Sequence, residues 1–352
     1  MLKELFVTHN DFDAAGCAIA YALSVNDPFH PTGFRGFEHP EYKIIYCSNY
    51  DVDEKIQEEI VNGNLHIDTT LYMADICCSR EMMNKLLNRG PKKIIVIDHH
   101  KTNLWAKDVL GDNAIIECDP DQYGVKDSGA SLTYKYFEEL GRYDNYKDYP
   151  KENISFKLFR NVIKKARSYD TFQWKENDDF EAKELQTLFF LLGMQRFVNK
   201  YIQRILSDHF DDDILIIPEH QQFVDAKIEW EQENIDAVSP EDVFNVEIKG
   251  YACAVKFQTG GMNISELSHQ FLTKYPGYDI FIGINIGDGS IAFRTQRDDI
   301  DTGVEFARNV MVNGKYGGGH PKASGCGIPE ELRKEIIDMI VKLICQEGKR
   351  YE

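Results

Sequence analysis

Short apolar runs alternate with amphipathic stretches through the first half of the chain, and this alternation predicts its secondary structure. Four runs rich in branched apolar residues are predicted as strands: Leu5–Thr8, Lys43–Cys47, Leu71–Asp75 and Lys93–Asp98. Three stretches with helical periodicity separate them: Ala15–Ser24, Asp53–Val61 and Ser79–Asn88. Strand, helix, strand at this spacing is typical of a parallel sheet, and uniformly apolar strands indicate that helices cover both faces.

The second half of the chain begins with helical patterns and then returns to strands. Helices are predicted at Phe156–Ser168, Glu181–Ser207, Gln221–Ile235, Ile264–Lys274, Gly303–Met311 and Pro329–Cys345. Four strands are predicted with the sequences VFNVEI, YACAVKF, YDIFIGINI and SIAFRTQ. We therefore predict an α/β protein with a mainly parallel sheet flanked by helices in residues 1–180, a helical connector in 181–240 and a smaller α/β domain in 241–352.

Length and composition indicate an intracellular chain of two domains. It has 352 residues, of which 43% are hydrophobic, enough for two ordinary cores. No apolar run approaches the ~20 residues of a membrane helix, and the first residues, MLKELFVTHN, lack the apolar stretch of a signal peptide. The eight cysteines are scattered without a CxxC pair, so we expect reduced thiols, a cytoplasmic location and no membrane partner.

The charge balance disfavours one class of nucleic-acid-binding protein. The formal net charge is −18, and affinity for long duplexes depends mainly on cationic side chains that neutralise phosphates. We therefore expect no binding to long duplex nucleic acid. A small phosphorylated substrate is compatible with this charge, because a few local cations are enough for it. A carboxylate-rich metal site also leaves such a surplus when its ions are not counted.

Acids and imidazoles follow three of the predicted strands at the point where each strand ends. The carboxyl ends of parallel strands meet at one edge of a sheet, where ligands bind in such folds. One acid there is usually a helix cap, but a crowd of unpaired carboxylates repels itself unless cations lie among them. The residues concerned are His9, Asp11, Asp13, Asp75, Asp98, His99 and His100. This mixture of oxygen and imidazole ligands suits divalent Mn, Fe, Co, Zn or Mg.

The number of acids exceeds what a single ion needs. A pair of ions ~3.5–4 Å apart is the usual arrangement in sites that cleave phosphoesters. Asp75 ends its own strand between the other two groups and is the predicted bridge between the ions. Adjacent residues of an extended chain point to opposite sides, so the three residues of the DHH sequence are expected to divide their roles. His99 would bind metal, Asp98 would orient an imidazole, and His100 would project towards the substrate.

Four motifs occur in a fixed order: HNDFDAAGC, MAD, IDHH and, late in the chain, YGGGHPKASGC. In this combination the chain resembles the DHH phosphoesterase superfamily with a C-terminal DHHA1 domain, and the resemblance covers nearly the whole chain. Three further segments, ARSYDTFQW, SGASL and DHHKTNLW, look most like the nanoRNase B type of oligoribonuclease. The resemblance implies a DHH catalytic domain in residues 1–180 and a DHHA1 substrate-binding domain in 241–352.

The resemblance also implies a set of metal ligands. It implies two Mn²⁺ ions, with Mg²⁺ or another divalent ion as the alternative. One ion would be held by His9 and Asp11, the other by Asp13, His99 and Asp170, and Asp75 would bridge them. Without the resemblance, Asp170 would be interpreted as the last residue of a helix. Ala14 stands where the family usually has Gly, which leaves the local turn open, but every ligand position is filled.

The segment SGASL precedes a helical stretch and contains two candidate phosphate ligands, Ser128 and Ser131. Free amides and hydroxyls at the start of a helix can hold a phosphate. An ordinary helix cap explains the two serines equally well, so both interpretations stay open.

Glycines, a histidine and two cations of the last domain are predicted to bind the substrate. Glycines let the backbone approach a ligand and expose its N–H groups, although a run of them is more often a flexible loop. The resemblance assigns the phosphate or base to Gly318, Gly319 and His320. It also places Arg294 on a phosphate, which its planar guanidinium suits; a solvated surface arginine is the alternative. Lys322 is a further candidate.

Together these observations predict a metal-dependent phosphodiesterase or exonuclease that trims short oligoribonucleotides to mononucleotides. Two ions would acidify a water that attacks phosphorus, while His100 contacts the phosphate or protonates the leaving oxygen. The enzyme alternatives are a 3′-phosphoadenosine 5′-phosphate phosphatase, a cyclic dinucleotide phosphodiesterase and a RecJ-like single-strand DNA exonuclease. Outside enzymes, the alternative is a nucleotide-binding regulator that keeps the metals without turnover. The sequence leaves a homodimer open.

Overall fold

The computed structural model describes residues 2–25, 41–144, 154–206, 214–258, 261–285, 287, 289–312 and 315–347. The chain divides into two compact units, Met1–Lys227 and Ile228–Glu352. The last residues of two predicted elements, Ser207 and Ile286, lie outside the described residues. Within the described ranges, every helix is too short or too polar to span a lipid bilayer.

A five-stranded parallel sheet forms the centre of the first unit. Its strands are β1 Glu4–Thr8, β2 Tyr42–Tyr46, β3 Thr70–Ala74, β4 Lys93–Asp98 and β5 Ala114–Ile116. They lie in the order β2-β1-β3-β4-β5, and each neighbouring pair is parallel. The four predicted strands and the parallel sheet are confirmed. The sequence pattern missed β5, because three residues are too few to show a period.

Helices flank this sheet and fill the rest of the first unit. They are α1 Phe12–Val25, α2 Val52–Val61, α3 Arg80–Arg89, α4 Trp105–Leu110, α5 Gly129–Glu139, α6 Ile154–Asp170, α7 Gln173–Glu176, α8 Phe180–Leu192, α9 Met194–Leu206 and α10 Pro218–Ala237, which contains the boundary between the units. α8 and α9, from the predicted connector, pack in the first unit. The ring of Phe12 on α1 lies 5.8 Å from those of Phe189 and Phe197.

Strand β1 is covered on both faces, as its uniformly apolar sequence predicts. Leu5 and Val7 point into an apolar core on one side of the sheet. Phe6 points to the other side and stacks on Tyr21 of α1, with the ring centroids 4.3 Å apart. The side chains of Leu5, Phe6 and Val7 on the strand and of Tyr21 on the helix are all 0% exposed. This packing fixes the position of β1 and therefore of the polar residues that follow it.

A six-stranded mixed sheet forms the second unit, beside a separate pair of short strands. The strands are β6 Phe244–Ile248, β7 Tyr251–Gln258, β8 Ile280–Asn285, β9 Ser290–Thr295, β10 Met311–Val312, β11 Lys315–Tyr316, β12 Gly318–His320 and β13 Ala323–Gly327. The sheet order is β12-β13-β9-β8-β7-β6, with β7 and β8 parallel and the other neighbours antiparallel. The helices are α11 Ile264–Lys274, α12 Thr302–Glu305 and α13 Glu330–Glu347.

The predicted helix at Gly303–Met311 is wrong beyond its first turn. α12 ends at Glu305, because Phe306 leaves the helical backbone and packs its ring against Phe293 in the core of the sheet. A 3₁₀ turn at Ala307–Asn309 and β10 follow instead. The glycine run, for which a flexible loop was the alternative, forms β12 and is paired with β13. The four predicted strands of this unit and α11 are confirmed.

Candidate metal centre

Three neighbouring strands bring polar residues to one edge of the first sheet. β1, β3 and β4 are adjacent and in register, so their carboxyl ends lie side by side. The residues at or just after these ends are His9, Asp11, Asp75, Asp98, His99 and His100. Two further acids come from helices: Asp13 lies in the first turn of α1, and Asp170 is the last residue of α6.

The first cluster contains His9, Asp11 and Asp75, whose ligand atoms lie within 4.8 Å of one another. His9 Nδ1 is 2.9 Å from Asp11 Oδ2, and Asp11 Oδ1 accepts a hydrogen bond of 2.9 Å from the Ala14 N–H. Burial alone would raise the pKa of Asp11, but His9 and the backbone bond outweigh it and lower the pKa to about 2. Ala14 lies within α1, where a helical backbone needs no glycine, so the departure from the family pattern leaves this turn intact.

The second cluster contains Asp13, His99 and Asp170, also with ligand atoms within 4.8 Å of one another. His99 Nε2 lies 3.4 Å from Asp170 Oδ2. Burial, and then the negative charge of Asp170, raises the pKa of Asp13 to about 7. Two carboxylates this close repel each other, and a cation between them would relieve the repulsion.

Asp75 connects the two clusters. Its carboxylate is part of the first cluster, with His9 and Asp11, and its Oδ1 is also 3.2 Å from His99 Nε2 of the second. Its backbone is left-handed, with φ of 58°, and is held there by a hydrogen bond of 2.9 Å from its N–H to Ile97 O. Left-handed backbone is uncommon outside glycine and is often found at functional sites. Burial, and then the neighbouring carboxylates, raises the pKa of Asp75 well above its usual range.

The donor atoms of both clusters fit divalent cations. Among the described residues, none donates a hydrogen bond to the buried atoms Asp75 Oδ1 and Asp170 Oδ2. Buried carboxylate oxygens without donors are unfavourable unless a cation completes them. Carboxylate oxygens and imidazole nitrogens together are the ligands that Mn²⁺ and similar ions accept.

Asp98 holds the imidazole of His100. Asp98 is 0% exposed, and its Oδ1 accepts from the N–H groups of His99 at 2.7 Å and His100 at 3.2 Å. The same oxygen lies 2.8 Å from His100 Nδ1. Burial of the ring would lower the pKa of His100, but the Asp98 carboxylate outweighs it and raises the pKa to about 9. The imidazole that Asp98 orients is therefore that of His100, while His99 lies with the second cluster.

Comparison with known proteins finds similar chains, although no protein-family model matches the chain. The oligoribonuclease NrnB of Bacillus subtilis (strain 168) is 27% identical over 343 residues, which covers 94% of this chain and 74% of the relative. The solved DHH domain of a protein described as a member of the s1p family of ribosomal proteins has a TM-score of 0.57 at 15% identity, covering 97% of this chain and 86% of that one. RecJ of Thermus thermophilus in complex with Mn²⁺ has a TM-score of 0.53 at 12% identity, covering 98% of this chain and 52% of RecJ.

This similarity to NrnB over nearly the whole chain confirms the resemblance to the DHH/DHHA1 phosphoesterase superfamily that was drawn from the motifs, and it indicates a phosphoesterase. The two solved structures share its fold, which confirms the fold class. The DHH sequence itself, at the end of β4, is the stretch in which Asp98 and His100 pair.

Sequence reasoning missed Asn103, which also contacts the DHH motif. Its Nδ2 donates to Asp98 Oδ2 at 2.5 Å, so both oxygens of this carboxylate are engaged. Asn103 ends the 3₁₀ turn Lys101–Asn103, which folds the amide back towards β4. An amide a few residues after an acid is common in loops, and the sequence offers no further signal that would single it out.

Ser128 and Ser131 form a capping box at the start of α5 in this DHH fold. Ser131 Oγ accepts from the Ser128 N–H at 2.9 Å, and Ser128 Oγ accepts from the Ser131 N–H at 3.5 Å. Both serines are buried, at 0% and 5% exposure, and the Ser128 hydroxyl donates to Asp13 Oδ1 at 2.6 Å. Both hydroxyls are bonded within the protein, which favours the ordinary helix cap, and binding of a substrate phosphate stays a prediction.

Arg294, in the DHHA1 part of the chain, is desolvated among neutral acceptors. Its guanidinium donates to Phe293 O and Ser324 O at 3.0 Å, and to Ser265 Oγ at 3.2 and 3.3 Å. Burial lowers the pKa of Arg294 to about 10. Arg294 is half-buried and bonded within the protein, which argues against a solvated surface arginine, and its contact with a phosphate stays a prediction.

The glycine strand β12 carries most of the remaining predicted residues. Gly319 has φ of 136°, and a Cβ there would lie 2.6 Å from a backbone oxygen of β13, so this position requires glycine. Gly318 is half-buried and His320 is exposed. Lys322, in the turn that follows, pairs with Asp298 at 2.5 Å. The hairpin thus holds the backbone of the glycines rigidly.

Proposed function

We propose that this DHH phosphoesterase hydrolyses short oligoribonucleotides to mononucleotides at a centre of two divalent cations, with Mn²⁺ as the first choice. The observation that carries the proposal is a pair of three-donor clusters that Asp75 connects at the carboxyl edge of the sheet. Pairs of metal ions are common in enzymes that cleave phosphodiesters. The B. subtilis relative is named an oligoribonuclease, which favours short RNA as the substrate.

Six side chains would hold the two ions. The proposed ligands are His9 and Asp11 for one ion, Asp13, His99 and Asp170 for the other, and Asp75 for both. Divalent cations bound there would supply Lewis-acid activation of a water and neutralise charge on the phosphoryl oxygens. The protein contributes rigid placement, because strands buried on both faces and two helices fix the ligand positions.

His100 is proposed to act on the substrate and not on the metal. Asp98 engages Nδ1 of its ring, and Nε2 is the nitrogen proposed to contact a phosphoryl oxygen or the leaving oxygen. A protonated Nε2 would donate a hydrogen bond to that oxygen and could pass its proton to the leaving group. Asp98 and Asn103 position the ring for this step, because together they restrict the carboxylate that holds it.

The second unit is proposed to bind the substrate. The guanidinium of Arg294 suits a phosphate, because a planar cation with neutral partners gains from an anion. Gly318 and Gly319 would offer backbone contacts, and the exposed His320 would contact the phosphate or the base. His320→Ala should then raise KM more than it lowers metal occupancy. Equal losses in both would argue against a substrate contact.

One assay separates this proposal from its alternatives. The purified protein with Mn²⁺ is incubated with end-labelled RNA of about two to five nucleotides, a DNA strand of about 24 nucleotides, 3′-phosphoadenosine 5′-phosphate and cyclic di-AMP, each representing one substrate class. Products are separated and identified as mononucleotides or intermediates. The expected result is fast loss of the short RNA and slow or no loss of the others.

Each other outcome of the assay contradicts part of the proposal. If the bisphosphate, the cyclic dinucleotide or the DNA is lost faster than the short RNA, that class is the substrate and oligoribonucleotides are not. If the protein binds its full complement of metal but turns over none of the four substrates, it is a nucleotide-binding regulator and not an enzyme. A protein that takes up a single metal ion and still cleaves RNA would remove the two-ion centre from the proposal.

A further inference from the structure

The start of α5 contacts the metal centre at Asp13. Asp13 is 2% exposed and is separated from Ser128 by 115 positions in the sequence. The Ser128 hydroxyl donates to Asp13 Oδ1 at 2.6 Å, and the Ala130 N–H lies 3.3 Å from both oxygens of the same carboxylate. The first turn of α5 therefore supplies two donors to one of the proposed metal ligands.

The surrounding hydrogen bonds leave one direction for the proton of Ser128. A carboxylate can only accept, so the Ser131 hydroxyl donates to Asp127 Oδ1 at 2.8 Å. The Ser131 oxygen then accepts from the Ser128 N–H, and the Ser128 oxygen accepts from the Ser131 N–H. Lys135 Nζ, 2.6 Å from the other oxygen of Asp127, holds that carboxylate in place. The Ser128 hydroxyl therefore donates its proton to Asp13 Oδ1.

Gly129 allows α5 to approach the acids this closely. A Cβ at this position would lie 2.5 Å from the Cβ of Asp75 and 2.9 Å from Oδ2 of Asp13. Both distances are too short for a real side chain, so a larger residue would displace the two carboxylates. The first turn of α5 is thus packed directly on the connecting acid of the two clusters and on Asp13.

We propose that Ser128 is a positioning residue of the metal centre. Its hydroxyl holds Asp13 Oδ1 and so orients the carboxylate that would bind a cation together with His99 and Asp170. The inference rests on the proposed metal centre and is independent of which phosphoester is the substrate. Hydrogen-bond partners of metal ligands typically change metal affinity by about 10–100-fold. A serine that only capped α5 would leave the metal affinity unchanged.

Replacing Ser128 with glycine separates capping from positioning. Glycine is tolerated at the N-cap, so Ser128→Gly removes the hydroxyl at little cost to the helix. Ser79→Gly is the matched control, because Ser79 caps α3 in the same unit with a hydrogen bond of 3.2 Å from the Met82 N–H. Mn²⁺ is titrated calorimetrically into the metal-free full-length protein without substrate, and the melting temperature of each metal-free sample is recorded.

The expected result is a loss of metal affinity specific to one serine. Ser128→Gly should bind at least one Mn²⁺ about 10–100-fold more weakly than the wild type, while Ser79→Gly binds like the wild type. The melting temperatures of the two metal-free variants should fall by similar amounts. Equal Mn²⁺ affinities for the two variants would overturn the inference.

A second pair of variants keeps the test decisive if Ser128→Gly does not fold. Ser128→Thr and Ser128→Val have nearly equal volume and differ in the hydroxyl. The threonine variant should bind Mn²⁺ more tightly than the valine variant, and equal affinities would overturn the inference. Since Mn²⁺ binding is measured without RNA, a wild type that binds Mn²⁺ but cleaves no RNA contradicts the proposed function alone.

Discussion

The candidate binding groups of the two units carry opposite charges. The first gathers Asp11, Asp13, Asp75 and Asp170 at one edge of its sheet, and two of their buried oxygens receive no hydrogen bond from the described residues. The second surrounds the guanidinium of Arg294 with neutral oxygens, and no carboxylate of the described residues forms an ion pair with it. The candidate binding groups are therefore anionic in the first unit and cationic in the second.

This difference indicates the charge of the ligand that each unit would bind. A buried charge is unfavourable unless opposite charges or hydrogen bonds compensate it, so each group is a candidate to bind a ligand of the opposite charge. The acids of the first unit would bind cations, and the arginine of the second would bind an anion. Divalent cations in the first unit and a phosphate in the second are the ligands of the proposed function. The predictions below change one of these charges or one of its supports at a time.

The largest effect is expected from neutralising the connecting carboxylate. Asp75→Asn keeps the size of the side chain but removes a charge that both clusters use, so Mn²⁺ binding and hydrolysis should fall together. We expect kcat on a short RNA to fall by at least about 10²–10³-fold, the loss typical of removing one preorganised electrostatic group. Single-turnover cleavage and Mn²⁺ titration of the same sample measure the two effects.

A buried carboxylate elsewhere in the first unit provides the control. Glu59 is 5% exposed, pairs with Lys43 at 2.7 Å and accepts a hydrogen bond from Asn64 Nδ2 at 2.9 Å. Glu59→Gln should lose some stability and keep its kcat, because this acid already has protein partners. Wild-type kcat in Asp75→Asn would contradict the connecting role, and an equally inactive Glu59→Gln would point to a general loss of folding.

The sequence allowed most of the first unit to be predicted. Parallel strands end at one edge of their sheet, so the order of residues alone grouped His9, Asp11, Asp75 and His99. The strands themselves were recognisable because they are uniformly apolar and covered on both faces. Asp170 is different: it ends a helix, to which no rule about strand ends applies, and its inclusion depended on the family resemblance.

Contacts between distant segments, and strands without an apolar pattern, could not be predicted. Ser128 meets Asp13 across 115 positions, and the packing of α5 on α1 that brings them together has no local signature. Asn103 reaches Asp98 only because a tight turn folds back. In the second unit, β12 and β13 are rich in small residues, so they lack the alternation that identifies strands.

The second largest effect is expected from removing the desolvated cation. Arg294→Gln deletes the charge that lacks a carboxylate partner, and a hydrogen bond to a charged group contributes about 1.5–3 kcal/mol. We therefore expect KM to rise by about 10–100-fold with a smaller change in kcat, since about 1.4 kcal/mol corresponds to a tenfold change in affinity. Steady-state kinetics on a short RNA at saturating Mn²⁺ measure the two constants.

Arg297 supplies the control for Arg294, because it is exposed and pairs with Asp279 and Asp299 at 2.6 Å. Arg297→Gln makes the same change in net charge and should leave KM close to the wild-type value. If both variants raise KM equally, the effect belongs to the overall field of the unit and not to a phosphate contact at Arg294. If neither does, Arg294 has no part in binding.

A smaller effect is expected from the amide that supports the DHH motif. Asn103→Ala leaves Asp98 Oδ2 without its donor, so the carboxylate holds the His100 ring less firmly. We expect kcat to fall by about tenfold while KM and Mn²⁺ affinity stay near the wild-type values. Asn64→Ala is the control, since it removes an amide donor from the carboxylate of Glu59, outside the metal centre. Equal losses of kcat in the two variants would contradict a role in positioning His100.

The smallest effect is expected at Lys322, the exposed cation of the same unit. Its ammonium pairs with Asp298, whose side chain is 91% exposed, and water competes for both partners. Exposed ion pairs contribute about 0–1 kcal/mol, so Lys322→Ala should change KM by less than about fivefold. Steady-state kinetics beside Arg294→Gln test this directly. A rise in KM as large as that of the arginine variant would mean that Lys322 leaves Asp298 to bind the substrate. Burial of a cation would then not distinguish the side chain that binds the substrate from one that does not.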